Sequence, residues 1–235
     1  MTYLTDLLDL RCMDNMDLMR QFPDKHFALA IVDPPYGIGE NGSKASGRCR
    51  PNVKAGNGFR GGGIVKSEYK PFSGKDKQPP TVEFFQELQR VSRNQIIWGA
   101  NHFISRIPNP DSPCWIIWDK CNGDSDFADT ENAWTSFKSA SRKFTYRWNG
   151  MLQQDMANKE ERIHPTQKPV ALYRWILERY SQAGDNILDT HLGSGSIAIA
   201  CHYADRHLTA CDKDRDYFDA AKSRVHKHTA QLSFL

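Results

Sequence analysis

An apolar run ends abruptly in an acid, two prolines and a tyrosine: residues 28–32 are followed by Asp33-Pro34-Pro35-Tyr36. Proline lacks an N–H group and restricts the residue before it, so a buried strand cannot continue through this sequence. We therefore expect a sharp turn at the carboxyl edge of a sheet, where open α/β proteins bind ligands. The turn joins a carboxylate, a backbone carbonyl and a ring, which suits a flat molecule with an exocyclic amine. Because four-residue motifs also arise by chance, a plain strand-ending turn is the alternative.

The size and composition fit one α/β domain over residues 1–235, with 39% hydrophobic and 25% charged residues. No apolar stretch approaches the roughly 20 residues of a membrane span. The first residues lack a basic region followed by an apolar one, so we expect no signal peptide and a cytoplasmic protein. The six cysteines form no Cys-x-x-Cys pair. We therefore expect free thiols and no metal site.

Positive charge is concentrated in one segment. Residues 41–77 carry nine Lys or Arg and two acids, on a chain of net charge +3, and hold eight of its sixteen glycines. This composition predicts a flexible basic loop over residues 37–80 that contacts a polyanion. A solvated insert without a partner is the alternative. The candidate phosphate contacts are Arg48, Arg50, Lys54, Arg60 and Lys66.

Further apolar runs alternate with helical patterns. Strands are predicted at residues 95–98, 115–118, 144–148, 186–189 and 207–212. Helices are predicted from Thr81, from Val170, after Gly195 and around Tyr217. This alternation favours a mostly parallel sheet with helices on both faces.

A second motif, Gly193-x-Gly195-x-x-Ala198, lies between a predicted strand and a predicted helix. Small residues here let the backbone approach a ligand, and Asp212, at the end of the next strand, suits ribose hydroxyls. Alone, the pattern fits a nicotinamide or flavin dinucleotide as well as S-adenosylmethionine. A dinucleotide enzyme has no evident use for an amine-binding turn, whereas an enzyme with a methyl donor does. The two motifs together favour methyl transfer to an amine.

Three segments in this order resemble amino-group DNA methyltransferases. They are Asp33-Pro34-Pro35-Tyr36-Gly37, His164-Pro165-Thr166-Gln167-Lys168-Pro169, and the loop from Asp189 through Gly193-x-Gly195. The order resembles the beta group, and Asp-Pro-Pro-Tyr is typical of its adenine-N6 members, whereas cytosine-N4 members more often begin with serine. Trp98-Gly99-Ala100-Asn101 is similar to compact bacterial and phage members. The resemblance implies a Rossmann-like S-adenosylmethionine-dependent methyltransferase fold, with a mostly parallel seven-stranded sheet and a permuted motif order.

The resemblance also implies roles for individual residues. The catalytic set is Asp33, Pro34, Pro35 and Tyr36: Asp33 and the Pro34 carbonyl would accept hydrogen bonds from the target amine, and Tyr36 would stack on the base. The implied cofactor set is Asp14, His164, Thr166, Lys168, Asp189, His191, Gly193, Ser194, Gly195 and Asp212. Within it, Lys168 is a candidate for the cofactor carboxylate. His191 departs from the family, in which phenylalanine usually occupies this position.

We therefore expect a site-specific DNA adenine-N6 methyltransferase that uses S-adenosyl-L-methionine and flips its target base out of the duplex. DNA cytosine-N4 or RNA adenine methylation is the alternative within this chemistry. An inactive DNA-binding protein with the same fold is the alternative outside it, and a dinucleotide oxidoreductase ranks last. Residues 121–145 are a possible small target-recognition insert. Both a monomer and a homodimer remain open.

Overall fold

The computed structural model of the protein describes residues 1–38, 78–122, 128–149, 152–164 and 166–230. The five candidate phosphate contacts of the basic loop lie outside the described residues. Pro165 and most of the 37–80 segment also lie outside them.

The described chain forms eleven strands and five α-helices. The strands are β1 (Thr2–Leu4), β2 (Leu8–Cys12), β3 (Phe27–Val32), β4 (Ser92–Trp98), β5 (Trp115–Asp119), β6 (Thr130–Thr135), β7 (Arg142–Thr145), β8 (Trp148–Asn149), β9 (Leu152–Gln153), β10 (Asn186–Asp189) and β11 (His207–Asp212). The helices are α1 (Asn15–Met19), α2 (Val82–Val91), α3 (Val170–Tyr180), α4 (Ser196–Tyr203) and α5 (Arg215–Ala230). Two short 3₁₀ turns, Ala100–His102 and Ile104–Arg106, follow β4.

Nine strands form one sheet in the order β1-β2-β11-β10-β3-β4-β6-β5-β7, and β8 pairs with β9 alone. The five neighbouring strands β2, β11, β10, β3 and β4 run parallel to one another. By contrast, β1 is antiparallel to β2, and β6 is antiparallel to both β4 and β5. The expected mostly parallel sheet of seven strands is therefore corrected to a mixed sheet of nine. The antiparallel strands β1 and β6 lie on either side of the parallel centre, and the parallel centre itself agrees with the expectation.

Burial explains which strands could be foreseen. In β3 and β4 the final four residues are almost fully buried, because both faces of the sheet centre are covered by apolar clusters. The strand expected at residues 144–148 lies instead at Arg142–Thr145. The sequence did not predict β6, because Thr130–Thr135 contains only two apolar residues, Ala133 and Trp134.

Parallel pairing brings four acids to one edge of the sheet. Asp212 ends β11 and Asp189 ends β10, while Asp33 directly follows β3 and Asp14 follows β2 by two residues. Because these four strands are neighbours in the order β2-β11-β10-β3, their carboxyl ends meet at the same edge. The two sequence motifs therefore lie side by side although they are far apart along the chain.

Within the described parts of the chain, none of the helices combines the length and apolar character that crossing a membrane requires.

Candidate active site

Asp33 is the centre of a hydrogen-bonded cluster at the end of β3. Its Oδ1 accepts a hydrogen bond of 2.8 Å from the Tyr36 hydroxyl, and its Oδ2 accepts one of 2.6 Å from Lys168 Nζ. Lys168 Nζ also lies 3.3 Å from the Tyr36 hydroxyl oxygen. The turn after β3 brings residues 33 and 36 together, because the prolines between them end the strand. Both carboxylate oxygens of Asp33 are thus held in a fixed orientation.

Aromatic rings surround this cluster. The ring of Tyr36 stacks with that of His102 at a centroid distance of 5.2 Å and an interplanar angle of 18°. Lys168 Nζ lies 5.2 Å from the Trp98 ring and 5.9 Å from the Tyr36 ring, both within cation–π range. Tyr36 is half-buried and Pro34 is buried. The contact of Tyr36 with a target base stays a prediction, as does the role of the Pro34 carbonyl.

The buried charges shift one another's titration. Burial raises the pKa of Asp33, the charge of Lys168 opposes this rise, and Glu131 adds to it. Burial lowers the pKa of Lys168, but the charges of Asp33 and Glu131 outweigh this and raise it. Burial and the Asp33 charge raise the pKa of Tyr36 well above its usual value. Tyr36 therefore remains a hydroxyl donor, and Lys168 remains an ammonium.

The glycine loop lies between β10 and α4. Gly193 and Gly195 have φ values of +52° and +73°, which favour glycine. The Gly193 N–H donates a hydrogen bond of 3.0 Å to Asp212 Oδ2, which links the loop to the end of β11. A Cβ on Gly195 would lie 2.9 Å from Val225 Cγ2, so a small residue here permits close packing of α4 and α5.

The segment before α3 lies beside this loop. A Cβ on Gly193 would be 3.9 Å from His164 Cε1. His164 Nδ1 lies 3.3 Å from the Thr166 backbone nitrogen and 3.1 Å from its hydroxyl oxygen, and the His164 ring packs edge-on against Tyr217. Burial and the Lys168 charge lower the pKa of His164 to about 4. At neutral pH this imidazole is uncharged.

Asp189 and His191 lie at the start of the glycine loop, where β10 ends. Asp189 is 2% exposed, and burial, the nearby charge of Asp33 and that of Asp212 raise its pKa to about 8, although the His191 N–H donates a bond to Oδ1. Burial and the charge of Lys213 lower the pKa of His191 to about 3. Its Nε2 lies 3.2 Å from Asn15 Nδ2, and its Nδ1 lies 2.9 Å from the Thr190 hydroxyl. The ring also packs edge-on against Phe84.

Asp14 has a structural role in addition to the one predicted from sequence. It is the N-cap of α1, where Oδ1 accepts a hydrogen bond of 2.8 Å from the Met16 N–H. The neighbouring backbone is tied to β11, because the Met13 N–H donates to the Asp212 carbonyl. Asp14 thus lies just beyond β2, and Asp212 ends the adjacent strand β11. A contact between Asp14 and a cofactor adenine stays a prediction.

The sequence did not single out two charged residues near the site. Glu131 of β6 lies 2.9 Å from Lys168 Nζ through Oε2 and also forms an ion pair with Lys120. Arg224 of α5 donates hydrogen bonds to the Ser194 carbonyl and the Ser196 hydroxyl, both at 2.9 Å, and to Glu160 Oε2 at 2.7 Å. No local pattern predicts these pairs, since their members are distant in sequence.

The edge of the sheet has carboxylate acceptors that suit S-adenosylmethionine. This cofactor carries a sulfonium, an amino group and ribose hydroxyls, all of which suit carboxylate acceptors such as Asp189 and Asp212. The raised pKa of Asp189 indicates a carboxyl group that a nearby cation would stabilise in its charged form. The residues at this edge therefore fit the cofactor that the glycine loop predicts.

The fold and this site geometry define an α/β protein with a glycine-rich loop beside an Asp-Pro-Pro-Tyr turn. A family model described as DNA methylase, of the N6 and N4 type, matches residues 123–223, less than half of the chain. The chain is 38% identical over 68 residues to type II methyltransferase M.HpaI of Haemophilus parainfluenzae, an alignment of 29% of this chain and 22% of that relative. It is 23% identical over 251 residues to type II methyltransferase M2.MboI of Moraxella bovis, covering 92% of this chain and 87% of the relative.

Solved structures share the fold over most of the chain. A complex of M1.HpyAVI with SAM superposes with a TM-score of 0.58 at 19% identity, covering 93% of this chain and 99% of that one. The cytosine-N4-specific PvuII DNA methyltransferase superposes with a TM-score of 0.56 at 11% identity, covering 98% and 94%. The chain is therefore similar in sequence to DNA methyltransferases of the N6 and N4 type and has their fold.

Proposed function

We propose that this protein is a site-specific DNA methyltransferase that uses S-adenosyl-L-methionine to methylate the N6 amine of adenine. The observation that carries the proposal is the position of Asp33. Its carboxylate, fixed by Tyr36 and Lys168, follows the strand next to β10, which leads into the glycine loop. An amine held by Asp33 and a methyl donor held by the loop would thus meet at one edge of the sheet.

The chemistry requires an amine presented to an electrophilic carbon. When bound, S-adenosyl-L-methionine supplies a methyl group attached to a sulfonium. The lone pair of the adenine amine is delocalised into the ring, so the amine is a poor nucleophile. Acceptors at the Asp33 carboxylate and the Pro34 carbonyl favour a pyramidal nitrogen and stabilise the positive charge that develops on it. Fixed alignment of the amine lowers the barrier further.

The target base must leave the duplex to reach Asp33, which costs about a few kcal/mol. Stacking on Tyr36 and phosphate contacts by the basic segment offset this cost. We assign these contacts to Arg48, Arg50, Lys54, Arg60 and Lys66 on the basis of the sequence alone. Replacing Arg48, Arg50 and Lys54 with glutamine should weaken DNA binding and flatten its salt dependence, because fewer counterions are released. If the salt dependence of DNA binding does not change, the alternative of a solvated insert without a partner is favoured.

The decisive test of the proposal separates chemistry from cofactor binding. Asp33→Ala should abolish methyl transfer to DNA and leave the S-adenosylmethionine Kd, measured by calorimetry, nearly unchanged. Asp17→Ala, an exposed acid in α1, is the matched control and should keep both properties. Equal loss of transfer and cofactor binding in Asp33→Ala would contradict the role of Asp33. Failure of the wild-type protein to bind the cofactor would favour the inactive DNA-binding alternative.

Cytosine-N4 methylation is the second candidate, because the fold is shared with the cytosine-N4-specific PvuII enzyme. The aspartate at position 33 favours adenine, since serine is more typical of cytosine-N4 members. Digestion of methylated DNA to nucleosides followed by mass analysis distinguishes N6-methyladenine from N4-methylcytosine. The same assay with RNA tests the remaining alternative. The relatives are type II methyltransferases, which supports a role in restriction–modification.

A further inference from the structure

Lys168 is bound by more than the catalytic-motif aspartate. Its ammonium lies 2.6 Å from Asp33 Oδ2, 2.9 Å from Glu131 Oε2 and 3.3 Å from the Tyr36 hydroxyl oxygen. The ammonium donates hydrogen bonds to Asp33 and to the Tyr36 hydroxyl, and its contact with Glu131 is an ion pair. The side chain is only 3% exposed. A lysine buried this deeply is stable as a cation only when it is paired in this way.

Glu131 contacts the same ammonium from a different strand of the sheet. It lies on β6, directly across from Trp118 of β5, and its other carboxylate oxygen pairs with Lys120. Burial raises the pKa of Glu131, but the charges of Lys168 and Lys120 outweigh this effect and lower it to about 2. Glu131 is therefore charged at neutral pH.

Four charges consequently alternate along one path: Lys120, Glu131, Lys168 and Asp33. Each neighbouring pair is within ion-pair distance, and the path as a whole is neutral. It ends at the carboxylate that is proposed to hold the target amine. An ionised carboxylate accepts hydrogen bonds strongly on both oxygens, whereas burial without a cation would favour the protonated form, in which one oxygen becomes a donor. Lys168 opposes that effect.

We propose that Lys168 and Glu131 are positioning residues for methyl transfer, with Lys168 holding Asp33 as an ionised, oriented acceptor and Glu131, from β6, acting as a second counter-charge that limits how strongly Lys168 stabilises the ionised form. The proposal rests on the proposed function of Asp33 and extends it to a strand within the segment that the sequence assigned to target recognition. Neither residue needs to touch the target base for this role.

Other charged or titratable groups also face Asp33, and they must be considered in a pH experiment. Tyr36 donates to it from the same turn, Tyr173 lies on α3, and Asp189 follows β10. The two tyrosines stay neutral because their pKa values are raised well above the usual value. Asp189 titrates near pH 8, within the cofactor site. Saturating cofactor and single-turnover conditions therefore separate its titration from that of Asp33.

A simple structural ion pair and the proposed role predict different pH profiles. Lys168 lowers the pKa of Asp33, whereas Glu131 raises it. In a plot of the single-turnover rate against pH, the acid limb is the part in which the rate falls as pH is lowered. Lys168→Met should therefore move this acid limb to higher pH, by about one to three units. Glu131→Gln should move the limb to lower pH. A merely structural pair would reduce stability or rate in both variants without shifting the limb in opposite directions.

The experiment measures the single-turnover rate of methyl transfer from pH 5 to 9, together with the cofactor Kd. Lys168→Arg keeps the cation, so its acid limb should lie at the same pH as that of the wild type. Lys227→Met, which removes an exposed lysine of α5, is the control and should leave the rate and its pH dependence unchanged. Limbs that move in the same direction in Lys168→Met and Glu131→Gln, or that do not move, would overturn the proposal.

A second readout does not depend on activity. Carbon-13 NMR of labelled aspartate carboxyls, assigned with Asp33→Asn, reports the titration of Asp33 directly. Opposite shifts in Lys168→Met and Glu131→Gln support the proposal, and equal or absent shifts overturn it. If Lys168→Met fails to fold, the Asp33 titration in Glu131→Gln decides: a lower pKa supports the proposal, and an unchanged or higher one overturns it. Absence of methyl transfer by the wild-type protein would instead contradict the proposed function, while the NMR titration still tests the inference.

Discussion

The ring of Tyr36 lies directly against the backbone of Gly99, so that a Cβ built on this glycine would be 2.1 Å from Cε1 of the ring. Gly99 follows β4 and has a φ of +67°, which glycine adopts without strain. The hydroxyl of the same ring is bound to Asp33. The end of β4 is therefore the surface on which the aromatic part of the candidate site rests.

Gly99→Ala should displace Tyr36, because the ring is fixed by its hydroxyl and has little freedom to move away. We expect methyl transfer to fall on the order of a hundredfold, as displacements of about 1 Å in an active site can cause. The cofactor Kd should change little, since Gly99 is not part of the glycine loop. Single-turnover rates and calorimetry measure the two effects separately.

Gly184→Ala is the matched control for this substitution. Gly184 has a φ of +80°, but no atom lies within 4 Å of a Cβ built on it. Both substitutions therefore carry the backbone cost of a left-handed alanine, about 1 to 2 kcal/mol. Only Gly99→Ala should affect methyl transfer beyond the effect of reduced stability. Equal losses of rate in the two variants would mean that Tyr36 is not held by Gly99.

The sequence predicted the parts of the fold that local patterns determine. The runs that became β3, β4, β10 and β11 are largely apolar, and the prolines after β3 and the glycine after β4 identify where those two strands end. By contrast, β6 is polar and is a strand because Ala133 and Trp134 fill a gap between β4 and β5. Its place between two strands, with Ala133, Trp134 and Thr135 all buried, determines its structure, so no periodicity could predict it.

The contacts between side chains were less predictable than the strands. The sequence predicted Lys168 as a cofactor ligand, and nothing local indicates that its ammonium lies at Asp33, 135 residues earlier. Glu131 carries no motif at all. Such pairs depend on strand order and on burial, which a single sequence does not report. The contact of Lys168 with a cofactor carboxylate stays a prediction.

Arg224 connects the glycine loop to the segment that carries Lys168. Its guanidinium binds the Ser194 carbonyl and the Glu160 carboxylate, and Glu160 in turn accepts from the Val170 N–H at the start of α3. Arg224→Lys keeps the charge but cannot span both partners with a planar fork. We expect the cofactor Kd to rise about tenfold, as loss of about 1.4 kcal/mol in loop order would cause.

Calorimetry and thermal melting check this prediction together. Lys227→Met removes an exposed charge from the same helix and should leave both the Kd and the melting temperature unchanged. Arg224→Met would leave Glu160 buried without its cation, a loss of about 3 to 5 kcal/mol, so the lysine variant is the informative one. A folded Arg224→Lys protein with wild-type cofactor affinity would contradict the link.

Asp189→Asn should stabilise the protein at alkaline pH. Because the pKa of Asp189 is raised to about 8 from an ordinary value of 3.8, the folded protein keeps a proton that the unfolded chain releases between these values. The free energy of unfolding therefore falls as pH rises through this window, by at most about 1.4 kcal/mol per unit. Asparagine has no proton to lose, and its Oδ1 can still accept from the His191 N–H.

Melting temperatures of both proteins from pH 4 to 9 test this expectation. The difference between Asp189→Asn and the wild type should be small near pH 4 and should grow up to about pH 8. A difference that does not depend on pH would mean that the carboxyl at position 189 is charged in the folded protein at neutral pH.

His191→Phe should make the protein less sensitive to acid. Burial lowers the pKa of His191 to about 3 from 6.5, so between these values the unfolded chain binds a proton that the folded protein does not. Stability is therefore lost as pH falls below about 6.5, and His164, whose pKa is lowered to about 4, adds a similar loss. Phenylalanine at position 191 removes one of these two contributions. It also removes the contacts with Asn15 and Thr190, worth about 1 kcal/mol each. The variant is thus expected to be less stable than the wild type at pH 7.5, and this difference should shrink steadily toward pH 5, as measured by chemical unfolding at each pH.

His191→Asn separates the loss of titration from the loss of polar contacts, because asparagine cannot titrate but can keep polar contacts. Both variants should show the flatter pH dependence, and a wild-type slope in either one would show that the imidazole at position 191 is not held neutral.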